Sequence, residues 1–167
     1  MRRVAKTRLS PLGRVRLSAF LTLALLATAC TSGFSASSGE DGGGASSQIV
    51  DLNLTLNAPV STPYGESGGI KPPVLAVKTG DTIAFVNSDG FAHTSTSIGS
   101  VQTFPSASPI KGSALHQNGT TLSGGWTSGA LQAGSGSQTI LADKPGTYLY
   151  GCFFHYGSPM RGAIIAR

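Results

Sequence analysis

The sequence predicts an all-β domain folded as a Greek-key β-sandwich. The clearest strand signal lies in residues 48–57, where Val50, Leu52, Leu54 and Leu56 alternate with polar side chains. Alternation with a period of two turns one face of a strand toward the core. Turn sequences separate the further strand-like runs, and no part of residues 49–167 carries a convincing apolar stripe with the 3.6-residue period of a helix. We therefore expect one sandwich domain.

Turn residues also bound the other strand-like runs. Pro72-Pro73 precedes the second run, and Gly80-Asp81 turns the chain into the third, whose Ile83 and Phe85 share one face. The segment 97–136 is rich in Gly, Ser and Thr, and we expect loops there with one or two short strands. The further predicted strands are residues 74–77, 82–87, 138–142, 146–152 and 163–166.

The start of the chain has the features of a bacterial lipoprotein signal peptide. A basic segment precedes the apolar run Leu17–Ala29, which is too short to span a bilayer comfortably. The run ends in Ala27-Thr28-Ala29-Cys30, which resembles a lipobox, where a peptidase cuts before a cysteine that carries lipid. An ordinary secretory signal without lipid is the alternative. The predicted organisation is a signal peptide at 1–29, a lipidated Cys30 with a Ser/Gly-rich linker at 30–48, and a domain at 49–167.

The charge distribution excludes one class of partner. Six of the 12 Lys and Arg residues precede residue 30, and all 7 Asp and Glu residues follow it. The mature chain therefore carries six basic and seven acidic residues, a net charge of −1. Because no basic patch remains, we expect no nucleic-acid partner. The expected location is the periplasm or the cell surface, with the protein held on a membrane through lipid.

Three residue types that bind soft metals lie together near the C-terminus. Cys152, His155 and Met160 follow a strand-like run at C-x2-H-x4-M spacing, and His93 lies far upstream after another such run. A thiolate, two imidazoles and a weak thioether are the donor set of a mononuclear blue-copper site. Calcium and magnesium prefer oxygen ligands, and structural zinc sites rarely use methionine. The alternative is that each residue is ordinary core filler or solvated surface.

The spacing suits a metal site. On a strand, Tyr148, Tyr150 and Cys152 share one face, so the two rings can pack in the core and hold the sulfur inward. A turn can fold His155 back over the strand end, and the fixed φ of Pro159 stiffens the loop ahead of the methionine. Cys152 would have no disulfide partner if Cys30 is lipidated, and metal ligation would protect its thiolate from oxidation.

With these motifs, residues 74–167 resemble the plastocyanin/pseudoazurin-type cupredoxins. The resemblance rests on three segments: residues 77–93, ending in Gly90-Phe91-Ala92-His93; the run Trp126-Thr127-Ser128-Gly129-Ala130-Leu131; and residues 144–162. It implies the cupredoxin fold and one copper ion that alternates between Cu+ and Cu2+. His93, Cys152 and His155 would be the equatorial ligands, and Met160 the axial ligand.

The resemblance also assigns roles around the ligands. The hydroxyl of Thr94 is expected to pin the ligand loop, where the family commonly has Asn or Ser. A hydrophobic surface around the edge of His155 is expected to pass electrons, with its candidate residues Phe91, Phe153, Phe154, Tyr156 and Pro159. Gly151 stands where plastocyanins have a tyrosine that serves as a remote electron port, so that second route is in doubt.

The function expected from the sequence is a monomeric one-electron carrier at the outer face of a bacterial membrane, working with redox partner proteins. The alternative is a periplasmic copper buffer, chaperone or sensor that does not shuttle electrons. An enzyme is not expected, because the chain has 3 histidines and only His116 remains for a second metal site. We expect His116 to be a solvated surface residue.

Overall fold

The structure is a computed structural model that describes residues 44–167. The predicted signal peptide, Cys30 and the linker up to residue 43 lie outside the described residues. Within the described part, no helix is long and apolar enough to cross a membrane. The secondary structure there comprises twelve strands and one short 3₁₀ helix, η1. These elements are β1 (Ser47–Leu52), β2 (Val60–Thr62), β3 (Gly65–Ser67), β4 (Ile70–Lys71), β5 (Val74–Val77), β6 (Thr82–Asn87), β7 (Thr96–Ser97), η1 (Gly112–Leu115), β8 (Gln117–Thr121), β9 (Gly125–Ser128), β10 (Ile140–Leu141), β11 (Gly146–Gly151) and β12 (Arg161–Ala166).

Ten strands form one continuous hydrogen-bonded ladder, and β2 and β3 form a separate hairpin. The ladder order is β4-β1-β6-β10-β8-β9-β7-β11-β12-β5. The pairs β1–β6, β8–β10 and β5–β12 are parallel, and the other pairs are antiparallel. Most ladder neighbours are distant in sequence, as Greek-key connections require.

The ladder is folded over on itself into a sandwich. Phe85 of β6 and Tyr150 of β11 lie five places apart in the ladder, yet their ring centroids are 5.2 Å apart. In a flat sheet, five strand spacings would separate these strands by about 24 Å. Trp126 of β9 stacks on Phe85 at 6.2 Å and closes the same cluster. The predicted all-β sandwich is therefore confirmed.

The core follows the period of two predicted for two of the strands. In β6, Ile83 and Phe85 are fully buried. At the end of β11, Tyr150 and Cys152 belong to the core cluster, and Tyr148 packs against it. Leu149 is equally buried but points to the opposite face of the strand. The sulfur of Cys152 is thus held inside the sandwich by its own strand.

The first strand is shorter than the alternating pattern predicted. It ends at Leu52, and the next residues turn because the side chain of Asn53 accepts a hydrogen bond from Leu56 N at 2.9 Å. The carbonyl of Asn53 also accepts from Asn57 N at 3.0 Å. Such local side-chain bonding competes with a strand ladder. Leu56 is consequently 77% exposed instead of facing the core.

Other boundaries also differ from the sequence prediction. Strand β1 begins one residue earlier than the predicted strand, at Ser47, which the sequence assigned to the linker. The strand predicted at 138–142 is reduced to Ile140–Leu141. The segment 97–136 contains β8, β9 and η1 beside its loops, and His116 is exposed there as expected. The short strands β2, β3 and β4 were not predicted.

Two buried tyrosines give a paired test of the core. The hydroxyl of Tyr150 has no hydrogen-bond partner within residues 44–167, whereas that of Tyr156 donates to Pro105 O at 3.0 Å. Removing an unpaired buried hydroxyl relieves its desolvation cost, so Tyr150→Phe should raise the free energy of unfolding by about 1 kcal/mol. Tyr156→Phe removes a formed bond and should lower it by about 1 kcal/mol. Urea denaturation of the metal-free variants measures both, and shifts of the same sign would contradict this description.

Candidate metal centre

Three side chains from distant parts of the chain converge on one point. Nδ1 of His93 and Nδ1 of His155 are 3.2 Å apart. Sγ of Cys152 lies 3.8 Å from the His93 nitrogen and 3.7 Å from the His155 nitrogen. His93 follows β6 and bridges to Leu131, while Cys152 directly follows β11. The fold therefore brings His93, Cys152 and His155 together, as the sequence interpretation requires.

The triangle has the size that a single metal ion needs. Two imidazole nitrogens each about 2.0 Å from one ion can be at most about 4 Å apart, and a nitrogen and a thiolate at about 2.3 Å at most about 4.3 Å. All three measured separations fall below these limits. One thiolate and two imidazoles suit copper or zinc, and a thioether as fourth donor favours copper. The residues present therefore fit one copper ion.

Met160 lies beside two of the three donor residues. Its carbonyl accepts a hydrogen bond from Cys152 N at 2.9 Å, and its amide donates to His155 O at 3.1 Å. The side chain is fully buried, and an ideal Cβ on Gly69 would lie 2.9 Å from Cγ of Met160. Gly69 has φ +66, so both its backbone conformation and its closeness to Met160 call for glycine. The side chain of Met160 is thus packed closely against Gly69.

The loop between β11 and β12 is held at both ends. The carbonyl of His155 also accepts from Ser158 N at 2.9 Å, which turns the chain back toward Met160. Pro159 is half-buried, and its carbonyl accepts from Gly68 N at 2.9 Å. Pro159 thus helps tie the ligand loop to the segment that follows β3. Backbone hydrogen bonds therefore hold both ends of the loop.

Thr94 joins the two halves of the site. Its hydroxyl accepts a hydrogen bond from Phe153 N at 2.8 Å, and its own amide donates to Cys152 Sγ at 3.4 Å. Burial raises the pKa of the Cys152 thiol, and the Thr94 N–H acts in the opposite direction by stabilising the thiolate. Burial lowers the pKa of the His155 imidazole from 6.5, which favours the neutral form that binds metals. Thr94 lies where it pins the loop.

Asp89 is a site residue that the sequence interpretation missed. Its Oδ2 lies 3.1 Å from Nε2 of His93, the ring nitrogen that faces away from the other donors. Burial raises the pKa of this carboxyl, but hydrogen bonds from Gly90, His93, Thr55 and Leu54 outweigh it and lower the pKa to about 2. In the sequence, Ser88-Asp89-Gly90 has the residue types of a turn, which conceals the contact of Asp89 with His93. The one sequence signal that could have indicated this contact is the position of the carboxylate, four residues before the candidate ligand His93.

The aromatic residues around His155 divide into surface and core. Phe91 and Phe154 are 45% and 44% exposed, and their ring centroids lie 5.3 Å and 6.1 Å from that of His155. Phe153 is half-buried and packs edge-on against Phe154 at 5.3 Å. These rings form an apolar rim, which we define as Phe91, Phe153 and Phe154.

Tyr156 does not belong to this rim, so its predicted place in the electron-transfer surface is wrong. It is only 2% exposed. Its ring fills the space that Gly151 leaves open, because an ideal Cβ on Gly151 would lie 2.7 Å from Tyr156 Cδ2. The guanidinium of Arg161 lies 5.0 Å from the centre of the ring and shields it.

Comparison with known proteins gives structural neighbours but no sequence relatives. No protein-family model and no curated protein matches the chain. A purple cupredoxin from Nitrosopumilus maritimus aligns with a TM-score of 0.45 and 18% identity over 72% of this chain and 99% of its own. A methionine-to-alanine variant of amicyanin in the Cu(I) form gives 0.45 and 16% over 72% and 82%. A proline-to-glycine amicyanin variant in the reduced Cu(I) form gives 0.45 and 18% over 78% and 87%.

The packing of Gly69 on Met160 can be tested with a matched pair of variants. Gly69 and Gly134 both have positive φ, at +66 and +75, but a Cβ on Gly134 would meet nothing within 4 Å. Both alanine variants should lose about 1–2 kcal/mol of unfolding free energy through backbone strain. Gly69→Ala should lose about 1–3 kcal/mol more through overpacking. Only Gly69→Ala should also shift the visible spectrum of the copper-loaded protein, because only it displaces Met160. Identical spectra for the two variants would contradict the packing described here.

Proposed function

We propose that this chain is a blue copper protein of the cupredoxin type that carries single electrons. The observation that carries the proposal is the buried triangle of His93, Cys152 and His155, whose donor atoms are 3.2–3.8 Å apart. Met160 would complete the site as a weak axial ligand. Copper bound there would supply the one-electron couple between Cu+ and Cu2+.

The surroundings of the donors favour electron transfer because they hold them still. Thr94 fixes the start of the ligand loop, the His155 carbonyl fixes its end, and Asp89 fixes the ring of His93. Cu+ and Cu2+ prefer different geometries, so a frame that moves little between the two states keeps the reorganisation small. A protein that only stored copper would gain nothing from donors held this rigidly.

The exposed side of the site offers one place for electron exchange. His93, Cys152 and Met160 are fully buried, whereas His155 is only partly buried and lies against the apolar rim. A redox partner that covers Phe154 and Phe91 would therefore come close to the His155 ring, the one donor ring that is partly exposed; the His93 ring, 5.1 Å from Phe91, is fully buried. Apolar contact there excludes water without needing strong charge complementarity.

A single metal site fits a carrier better than an enzyme with several copper ions. Only one group of three or more His, Cys, Asp or Glu donors converges in the part of the chain that the structure describes. His116 is exposed and is not part of that group.

We propose further that the carrier is a lipoprotein exported and anchored through Cys30 at the outer face of a bacterial membrane, as the lipobox-like Ala27–Cys30 supports. It would work as a monomer with redox partner proteins.

The proposed copper site is tested by the optical spectrum of the protein from residue 31 onward. Copper-loaded protein should show the intense blue absorption of a Cu2+–thiolate bond, and Cys152→Ser should abolish it. Met160→Leu is the comparison variant: it should keep copper and the blue colour while raising the reduction potential. A colourless wild-type protein that nevertheless binds copper would contradict the proposal and favour a buffer or chaperone.

The electron-exchange surface is tested by the self-exchange rate. Phe154→Asp places a charge in the apolar rim, so self-exchange between Cu+ and Cu2+ protein should slow by about tenfold or more. Leu141→Asp is the matched control, since Leu141 is 39% exposed on β10 and Phe154 is 44% exposed. It should leave the rate unchanged. Exchange of the wild-type protein should depend little on ionic strength, because the mature net charge is −1. Equal slowing by both variants would rule out the rim as the exchange surface.

A further inference from the structure

Asp89 is the one buried carboxylate of the described residues that contacts a candidate ligand. It is 7% exposed, and its Oδ2 lies 3.1 Å from Nε2 of His93. We propose that Asp89 is a positioning residue that directs Nδ1 of His93 to the copper and, through its charge, lowers the reduction potential of the site. This inference rests on the proposed copper-binding function.

The hydrogen bonds of Asp89 determine which nitrogen of His93 carries the proton. Oδ2 of Asp89 accepts hydrogen bonds from the backbone N–H groups of Leu54 and Thr55, so it is an acceptor also toward Nε2 of His93, 3.1 Å away, and Nε2 is the nitrogen that carries the proton. Nδ1 then has a free lone pair, and it is this atom that lies 3.2 Å from the His155 nitrogen and 3.8 Å from the Cys152 sulfur. Asp89 therefore selects the tautomer in which His93 can bind a metal beside the other two donors.

Asp89 is itself fixed by donors on both oxygens. Oδ2 accepts from Leu54 N at 2.8 Å and Thr55 N at 3.3 Å. Oδ1 accepts from Thr55 Oγ1 at 3.0 Å and Gly90 N at 2.8 Å. With both oxygens held, the carboxylate cannot rotate away from the imidazole.

The charge of Asp89 acts on the two oxidation states unequally. A carboxylate that accepts the ligand's second N–H raises the basicity of the imidazole. A negative group near a poorly solvated site also stabilises Cu2+ more than Cu+, because the attraction grows with the charge of the ion. His155 is different because it is partly exposed and lies against the exposed Phe154, whereas His93 is fully buried; Phe91 lies against both rings. One imidazole thus sets the potential while the other faces the partner.

The test compares two Asp→Asn variants that remove the same charge from the same region. Asp51 accepts from Ser88 Oγ at 2.6 Å and from Asn57 Nδ2 at 3.2 Å, so it joins the same two segments as Asp89, but its carboxylate has no hydrogen bond to His93. Asp89→Asn should raise the ratio of Cu+ to Cu2+ affinity by about tenfold or more, an upward shift of about 59 mV for one electron. Asp51→Asn should change the ratio by less than about twofold. An unchanged potential in Asp89→Asn, or equal shifts in the two variants, would overturn the proposal.

A second measurement uses the unaltered protein and so does not depend on the variant folding. Nitrogen-15 NMR of the diamagnetic Cu+ protein should show the His93 proton on Nε2, in slow exchange with water. A proton on Nδ1, or rapid exchange at Nε2, would refute the positioning role. If the wild-type protein fails to form a blue copper site, the proposed function fails. The same NMR measurement on the metal-free protein would then still decide whether Asp89 orders the ring.

Discussion

The candidate site depends on the paired hydrogen bonds of Thr94. Thr94 directly follows His93 in the chain. Its two hydrogen-bond partners, Cys152 and Phe153, lie 58 and 59 residues later, at the start of the ligand loop. Its hydroxyl accepts from Phe153 N, and its amide donates to the sulfur of Cys152. The metal-binding side chains are therefore positioned by hydrogen bonds within the chain. A site held in this way can impose its own geometry on a bound ion.

The two imidazoles of the site are placed in opposite environments by the fold. His93 is fully buried with Nε2 against a carboxylate, whereas His155 is partly exposed and lies near the exposed Phe154. One imidazole could not both exchange electrons with a partner and carry the carboxylate that tunes the metal. A ring that exchanges electrons must approach the surface, and a carboxylate there would be screened by water. Separating the roles allows a buried charge to act on the metal while the exchange surface stays apolar.

The sequence predicted those parts of the structure that depend on patterns among neighbouring residues. The alternation in β6, the alternation that carries Cys152 into the core, and the C-x2-H-x4-M spacing each need only neighbouring residues. The sequence did not predict the early end of β1 or the role of Asp89, because the two features depend on each other and lie far apart in the chain. Leu54 and Thr55 leave the ladder and donate to a carboxylate 34–35 residues away, and no periodicity records such a contact.

The burial of Tyr156 also depends on contacts that no local pattern records, and it bears on the proposed surface for electron exchange. Gly151, next to Cys152, carries no side chain, and the ring of Tyr156 occupies the space beside it. That ring is tied to Pro105 through its hydroxyl and lies beneath Arg161, which also lies 5.4 Å from the centre of the Phe104 ring. The flank of Cys152 beside Gly151 is thus covered by the Tyr156 ring, the Arg161 guanidinium and the loop that contains Pro105. A partner that approached this flank would have to displace the Arg161 contacts, whereas the rim around His155 is already exposed. The packing of Tyr156 beside Gly151 therefore supports the proposed exchange surface at His155.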